Sequence, residues 1–465
     1  MTHKKLKNRL KIGLISLGCP KNLADTEALA ADITKKIGAI LTDVENADIV
    51  LLNTCGFLKA ARNEAHAHLT KLHSKKVVIL GCMSSLFKES DLKKKPQVFA
   101  IVSGAAYKRL PEILLAAADG KKTFAVSAEP EKFENPAGKL LLAGTAYAYI
   151  KIAEGCSRTC SYCLIPQLRG KYRSRPMEDI LAEAKTLIES GIKELILVAQ
   201  DCGLYGVDLY KKPTLPTLLS ALTKIPGDFW IRILYIYPET VTTELLSVMK
   251  SSKKICKYLD IPLQHGDSEI LEKMNRPKNV QKTLEKIAKI RSTIPDITLR
   301  TSLIVGFPGE TEKSFKNLLN FVKKINFNHA GVFEYSREKG TPAYSLPNQI
   351  LRAQKRTRRK KLMLLQQGIS KKNMRALAYP ALAAVRAHKS SKKNLRVLIE
   401  SYDKTQKLYI GRSEHFAPEI DGIIFIKSLR NLPIHSFQEV RLTSSNPYDL
   451  FGEALGEGHS GISLT

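Results

Sequence analysis

The sequence has no long apolar run, few cysteines and fewer acidic than basic residues. No apolar stretch among its 465 residues approaches the ~18 residues that a membrane-spanning helix needs. The basic N-terminus (MTHKKLKNRLKI) has no apolar segment behind it, so we expect no secretory signal and a cytoplasmic protein. Eight cysteines are too few for a disulfide scaffold in a chain of this length. We therefore expect reduced thiols in a protein of about three domains.

Basic residues exceed acidic residues by a wide margin. Lys and Arg number 74 against 44 Asp and Glu, which gives a formal charge of +30. Such an excess is typical of proteins that bind polyanions, among which RNA is the first candidate. A lineage whose proteins are generally rich in Lys shows the same excess. Residues 351–375 hold ten Lys or Arg and no Asp or Glu, with Leu362, Leu365 and Ile369 at helical spacing. They predict a basic amphipathic helix that can contact nucleic acid.

Strand-like and helix-like segments alternate along most of the chain. In residues 1–125, IGLISL (12–17), DIVLLN (48–53) and VVILG (77–81) alternate with helical stretches, which predicts a doubly wound parallel sheet. Residues 119–145 have the composition of a linker. Residues 140–375 contain six further strand-like runs separated by helices, which predicts a partial (β/α)₆ barrel. Short β-rich runs over 385–455 predict a small antiparallel, OB-like barrel.

One compact cysteine motif stands at the end of the first barrel strand. Cys156, Cys160 and Cys163 have C-x₃-C-x₂-C spacing within EGCSRTCSYC. Thiolates suit zinc or iron–sulfur clusters, and no fourth zinc ligand is nearby. Three thiolates on a cubane cluster would leave one iron free to bind another molecule. The motif and the six-unit barrel resemble those of the radical S-adenosylmethionine (SAM) enzymes.

That resemblance implies a chemistry and further site residues. A 4Fe–4S cluster would bind SAM and cleave it to methionine and a 5′-deoxyadenosyl radical. The loop GFPGE would lie against SAM, and Arg300 either pairs with the SAM carboxylate through a bidentate fork or forms a structural ion pair. The residues assigned to SAM are therefore Arg300, Gly306, Gly309 and Glu310. The ends of two other barrel strands supply the catalytic candidates Gln200, Asp201 and His265, although a lone His is more often structural.

A second set of cysteines is dispersed in sequence but not in predicted space. Cys19, Cys55 and Cys82 each lie just past the C-terminal end of a predicted parallel strand. Such strand ends converge on one edge of a doubly wound sheet, where ligands bind. Each thiol alone has the features of a small buried residue. Together they predict a second three-cysteine cluster site.

The motifs taken together resemble those of the methylthiotransferases over nearly all of residues 10–455. The strings SLGCPKNLADTE, LLNTCGF, LGC and EGCSRTCSYC carry this resemblance, together with a TRAM-like terminal barrel. It implies two 4Fe–4S clusters, with SAM as both radical source and methyl donor. It also implies an electron donor and a sulfur donor, neither of which the sequence identifies. A non-catalytic iron–sulfur module that binds RNA is the remote alternative.

Two branches of that family differ in substrate. One modifies an adenosine in tRNA (MiaB-like), and the other modifies the β-carbon of an aspartate in the decoding-centre protein of the small ribosomal subunit (RimO-like). The strings LMLLQQ, GRSEHFAPEIDG (411–422) and PYDLFGE (447–453) resemble the second branch, although Phe416 stands where that branch usually has Asp. Residues 397–465 carry nine acidic and six basic residues, which favours a basic protein target, free or assembled, over tRNA.

Overall fold

The computed structural model describes residues 9–126, 138–142, 144, 146–379 and 394–456. Nearly half of the predicted linker over 119–145, and the predicted start of the terminal domain at residue 385, lie outside these ranges. Across the described ranges, no helix combines the length and the apolar character that crossing a membrane requires.

The first domain is a parallel sheet covered on both faces. Its six strands lie in the order β2-β1-β3-β4-β5-β6. They are β1 Lys11–Ser16, β2 Ile40–Thr42, β3 Ile49–Thr54, β4 Lys76–Gly81, β5 Val98–Val102 and β6 Thr123–Ala125. The helices are α1 Pro20–Ile37, α2 Lys59–Lys71, α3 Ser90–Lys94 and α4 Leu110–Ala118. Helices α1 and α4 pack on one face and α2 and α3 on the other, which buries every residue of β3 and confirms the doubly wound prediction.

The middle domain is the predicted six-stranded partial barrel. Its parallel strands follow in chain order as β7 Tyr147–Lys151, β10 Glu194–Val198, β11 Trp230–Ile233, β12 Tyr258–Asp260, β13 Thr298–Val305 and β14 His329–Glu334. A short hairpin pairs β8 Ala153–Glu154 with β9 Arg173–Ser174. The helices are α5 Ile165–Arg169, α6 Met177–Glu189, α7 Val207–Tyr210, α8 Leu215–Thr223, α9 Thr243–Ser251, α10 Ser268–Lys273, α11 Val280–Thr293, α12 Glu312–Ile325 and α13 Arg352–Ala378. A bond from Ile231 N to Lys254 O (2.7 Å) joins β11 to the segment leading into β12.

The terminal domain is a closed five-stranded barrel. Its strands are β15 Asn394–Asp403, β16 Leu408–Arg412, β17 Ile424–Lys427, β18 Phe437–Ser445 and β19 Leu450–Ala454, in the ring order β15-β16-β17-β19-β18. The sequence predicts an antiparallel barrel, and four of the five pairings are antiparallel. The pair β17–β19 is parallel. Strand directions cannot alternate all the way around a ring with an odd number of members, so one parallel pair is unavoidable.

Buried ion pairs join the terminal barrel to the middle domain. Arg412 Nη2 lies 2.7 Å from Glu194 Oε2 and 2.6 Å from Glu400 Oε1. The other oxygen of Glu194 accepts a 2.6 Å bond from Arg232, and both side chains are fully buried. Glu414 accepts a bond from the backbone of Lys257 (2.7 Å). These pairs fix the barrel against the edge of β10 and β11.

The acidic excess of the barrel lies at this interface. Glu414 and Asp421 contact the middle domain directly, and Glu400 pairs with Arg412, which itself reaches Glu194 of that domain. Glu419 contacts the middle domain as well, because its carboxylate accepts a 2.8 Å bond from the Tyr147 hydroxyl. The other charged residues of 397–456 are four acidic and five basic, namely Asp403, Glu439, Asp449, Glu453, Lys404, Lys407, Lys427, Arg430 and Arg441. The segment charge alone therefore does not indicate a basic target, because four of the acidic residues are engaged in contacts within the protein.

The interface predicts a stability difference between two arginines of the same barrel. Arg412→Ala leaves the Glu194 and Glu400 carboxylates short of a partner and should lower the free energy of unfolding by about 3–5 kcal/mol. Arg441→Ala is the matched control, because Arg441 forms an exposed pair with Glu453 and its loss should change stability by less than about 1 kcal/mol. Urea titration of both variants measures the free energy of unfolding. Equal losses in the two variants would contradict a larger contribution of the buried ion pairs to stability.

Candidate functional site

The first cysteine triad gathers at one edge of the N-terminal sheet. Cys19 immediately precedes α1, Cys55 follows β3 and Cys82 follows β4, and β1, β3 and β4 are neighbours in the sheet. Gly18 has φ +94°, and a Cβ on it would lie 2.6 Å from the Cβ of Cys55. A glycine at this position therefore lets the segment before Cys19 approach Cys55 closely.

The three thiols differ in their electrostatic environment. Burial raises the pKa of Cys19, but Lys21, Arg169 and backbone N–H groups at the start of α1 outweigh it and leave the pKa below its usual value. Burial raises the pKa of Cys55 to about 11. Burial likewise raises the pKa of Cys82, against the opposing effect of Arg169. A bound cation would have to deprotonate Cys55 and Cys82, as metal sites with thiolate ligands do.

The second triad occupies the loop between β8 and α5. Cys156 Sγ accepts a bond from Arg158 N (3.5 Å), and Cys163 Sγ accepts one from Ile165 N (3.4 Å). Cys160 Sγ lies 3.2 Å from the hydroxyl of Tyr237. Burial raises the pKa of Cys163 to about 12.

Neither triad is arranged for a single metal ion. In the described part of the chain, no three His, Cys, Asp or Glu side chains converge tightly enough to hold one. A cubane cluster spaces its thiolate ligands more widely than a single ion does. Three soft thiol donors per site, with no carboxylate or imidazole among them, fit an iron–sulfur cluster.

Arg169 connects the two triads. It lies six residues after Cys163 along the chain, and its Nε donates to Cys82 Sγ at 2.9 Å. Leu164 and Leu168 of the same segment pack against Cys82. The carbonyl of the next residue, Gly170, accepts the backbone N–H of Cys156 (3.0 Å). The two cysteine sites therefore share one short segment of chain.

Arg169 is buried and neutralised by both domains. Its Nη1 lies 3.0 Å from Asp25 Oδ2 and 2.8 Å from Glu154 Oε2, and its Nη2 donates to Asn22 Oδ1. Sequence reasoning missed this residue, because its partners lie far from it along the chain. The available signal was a basic residue close behind a cysteine motif.

Gln200 and Asp201 lie beside the second triad. Gln200 Nε2 donates to Glu154 Oε1 (3.0 Å), which places it in the same network as Arg169. Asp201 is almost fully buried, and its Oδ2 accepts two bonds from Arg158, at 3.0 and 2.7 Å. Its Oδ1 accepts the backbone N–H of Gly203 at 3.1 Å. Both oxygens of Asp201 are therefore engaged in hydrogen bonds. These contacts favour a role in which Asp201 positions the cysteine loop over a role in proton transfer.

The glycine loop is closed around a buried carboxylate. Gly306 and Gly309 have φ of +71° and +78°, and the Glu310 carboxylate accepts the backbone N–H groups of Gly306 and Phe307. Burial raises the pKa of Glu310 to about 7, although Arg358 lies 3.2 Å away and opposes the shift. Glu310 thus braces the loop from inside.

His265 is a neutral core residue next to that loop. Its Nδ1 accepts the backbone N–H of Asp267 (3.1 Å), and its Nε2 lies 3.9 Å from Glu310 Oε2. Burial lowers the pKa of His265 to about 3. The ring therefore stays uncharged at neutral pH, in agreement with the structural interpretation of a lone histidine.

Arg300 forms the structural ion pair that the sequence left open. Its Nη1 lies 3.0 Å from Asp260 on the neighbouring strand β12, and its Nε lies 3.5 Å from Asp421 of the terminal barrel. The fork is therefore occupied by two carboxylates of the protein itself.

Comparisons with known proteins cover each domain. Family models match at residues 11–104 (uncharacterized protein family UPF0004), 150–322 (radical SAM superfamily) and 393–455 (TRAM domain). Among solved structures, the radical SAM methyltransferase TsrM from Kitasatospora setae, bound to cobalamin and a 4Fe–4S cluster, is similar in fold. The TM-score is 0.54 at 15% identity, over 72% of this chain and 74% of that one.

Curated relatives match over almost the full length. The ribosomal protein uS12 methylthiotransferase RimO of Thermoanaerobacter sp. (strain X514) is 42% identical over 95% of this chain and 99% of its own. RimO of Clostridioides difficile (strain 630) is 42% identical over 96% of this chain and 99% of its own. RimO of Geobacter sulfurreducens is 41% identical over 96% of this chain and 98% of its own. The chain therefore belongs to the RimO family of radical SAM methylthiotransferases.

Proposed function

We propose that this protein inserts a CH₃S group at the β-carbon of an aspartate in ribosomal protein uS12, in the cytoplasm. The full-length similarity to uS12 methylthiotransferases at 40–42% identity carries this proposal. The charge of the terminal barrel adds nothing to it, because the described charged residues of the barrel, other than Arg412 and the four carboxylates engaged at the interface with the middle domain, are four acidic and five basic. A reductant and a sulfur donor complete the reaction.

The two triads are the proposed ligand sets of two 4Fe–4S clusters. When bound, such clusters with SAM supply a radical that abstracts hydrogen from carbon, and a sulfur and methyl source for the product. Tyr237 and Arg276 lie against Cys160 and bury that side of the site. Asp201, through Arg158, holds the loop that carries Cys156.

SAM is proposed to bind against the glycine loop. Gly306 and Gly309 allow close backbone approach. Glu310 fixes the N–H groups of Gly306 and Phe307 from inside the loop, and the carbonyl of Asn348 accepts the N–H of Gly309. Gln200 has a buried Oε1 with no hydrogen-bond partner among the described residues, so it can accept a bond from a bound molecule. Nη1 and Nε of Arg300 lie against Asp260 and Asp421, so a bidentate pair with a SAM carboxylate requires Arg300 to leave one of them.

The two-cluster proposal predicts separable losses. Changing Cys156, Cys160 and Cys163 to Ala should remove about half of the iron and abolish SAM cleavage. Changing Cys19, Cys55 and Cys82 to Ala should remove the other half and abolish methylthiolation, with SAM cleavage still measurable. Iron analysis and 5′-deoxyadenosine assays after anaerobic reconstitution distinguish these outcomes. Unchanged iron in the second variant would exclude a cluster on the first triad.

Arg169 should tune the cluster proposed on the first triad. A guanidinium that donates to a thiolate ligand stabilises the reduced, more negative cluster. In a chain whose second triad is changed to Ala, Arg169→Met should therefore lower the midpoint potential of the remaining cluster, with iron retained. Lys171→Met is the matched control, because Lys171 is exposed two residues away. EPR-monitored redox titration measures the shift, and equal potentials in the two variants would contradict the role.

The substrate is tested by mass spectrometry of cells with and without the gene. Loss of a CH₃S adduct (~46 Da) from uS12, with tRNA nucleosides unchanged, is the expected result. The assay also covers the tRNA branch of the family: loss of a methylthioadenosine from tRNA, with uS12 unchanged, would transfer the chain to that branch.

A further inference from the structure

Helices α12 and α13 concentrate positive charge on one side of the molecule. Together they span 41 residues that include fourteen Lys or Arg and a single carboxylate, Glu312. Twelve of the basic residues are exposed, namely Lys313, Lys316, Lys323, Lys324, Arg352, Arg356, Arg359, Lys360, Lys361, Lys371, Lys372 and Arg375. We call these twelve residues the basic face.

The two helices form a continuous surface. Near their starts, Arg358 Nη2 lies 2.7 Å from Glu312 Oε1. Near their ends, Asn326 Nδ2 lies 3.3 Å from Asn373 Oδ1. The helices therefore run side by side in the same direction, and α13 at ~1.5 Å per residue is about 40 Å long.

The charges of the basic face are not neutralised by the protein. None of the twelve side chains has a carboxylate within 4.0 Å among the residues that the structure describes. The buried exception on α13 is Arg358, which pairs with Glu310 and Glu312. Like charges at this density repel one another, so a polyanion that neutralises them would bind favourably.

The apolar side of α13 is already covered. Leu362 and Ile369 pack into the core of the middle domain, and Met374 packs into the core of the terminal barrel. An amphipathic helix that lies in a membrane must present such a side to lipid. This argues against a membrane surface and leaves a soluble polyanion as the ligand.

The basic face runs from the glycine loop to the terminal barrel. At the start of α13, Arg358 donates to the carbonyl of Glu310 (2.9 Å) and Lys355 donates to the carbonyl of Tyr335 (2.8 Å). At its other end, the Tyr379 hydroxyl donates to the carbonyl of Thr443 in β18. A ligand on this face therefore lies next to the end of the barrel that carries the glycine loop, which is the end where (β/α) barrels hold their active sites.

We propose that the basic face binds the phosphate backbone of ribosomal RNA and so docks the enzyme on uS12 within the small subunit. This inference rests on the proposed function, since RNA is the polyanion that surrounds a ribosomal protein. Phosphate contacts of this kind position a protein without reading sequence. The basic face would therefore position the enzyme on the small subunit, and the two cysteine triads would hold the clusters that carry out methylthiolation.

The test compares two quadruple charge reversals in the reconstituted enzyme. One changes Lys360, Lys361, Lys371 and Lys372 of the basic face to Glu. The matched control changes four exposed lysines outside α12 and α13, namely Lys212, Lys224, Lys250 and Lys253, to Glu. A third protein carries Gln at the four basic-face positions, which removes charge without introducing repulsion. Thermal unfolding of all three confirms that they are folded before comparison.

Binding to small subunits from cells lacking the enzyme is measured across a salt series. The basic-face Glu variant should bind at least about tenfold more weakly than the control, the Gln variant should fall between, and the slope of log K against log salt should decrease with each lost contact. Photo-crosslinks from wild-type α13 should go to RNA. Equal affinities and slopes for the basic-face and control variants, or crosslinks from α13 to protein alone, would overturn the proposal.

Methylthiolation of free uS12 and of subunits separates this inference from the proposed function. The basic-face variants should modify free uS12 as the wild type does and lose activity only on subunits. If the wild type modifies neither form of uS12, the proposed function fails, while the binding comparison still decides the role of the basic face. Equal loss on free and assembled uS12 in a folded variant would also count against RNA docking.

Discussion

A buried guanidinium between two sets of thiols is the interaction on which the arrangement of this protein depends. Arg169 comes from the middle domain, and its partners Asn22, Asp25 and Cys82 come from the N-terminal domain. A buried charge is strongly unfavourable unless it is paired, so the domains can take only the relative position that supplies those partners. The edge of one sheet is thereby held against the mouth of the neighbouring barrel.

Buried ion pairs between domains also occur where the terminal barrel meets the middle domain. Arg412 of the barrel reaches Glu194 on β10, and Arg300 on β13 reaches Asp421 of the barrel. Each contact places a charge of one domain among opposite charges of another. The middle domain is thus held on both sides by ion pairs that are lost when the domains separate, although Arg412 and Arg300 each keep one carboxylate of their own domain. Rigid placement of this kind suits a site whose parts come from different domains.

Much of this could be predicted from local sequence patterns, and the rest depends on pairings over long distances. Apolar strands alternating with helices predicted both βα domains, and the position of Cys19, Cys55 and Cys82 after strands predicted their common edge, because parallel strand ends converge. No local pattern pairs Arg169 with Asp25, which lies 144 positions away. The parallel pair β17–β19 follows from ring closure, which becomes visible only when the barrel is counted as five strands.

The net charge of a sequence segment differs from the charge that its folded surface exposes. Four of the nine acidic residues counted along 397–465 are engaged with charges and polar groups of the same protein, namely Glu400, Glu414, Glu419 and Asp421. A buried, compensated charge contributes little to the field that an approaching partner meets, whereas the uncompensated charges of α12 and α13 act over a Debye length. The outward surface is therefore a nearly neutral barrel beside a positive pair of helices. In the proposed docking, the helices attract RNA and the nearly neutral barrel beside them does not repel it.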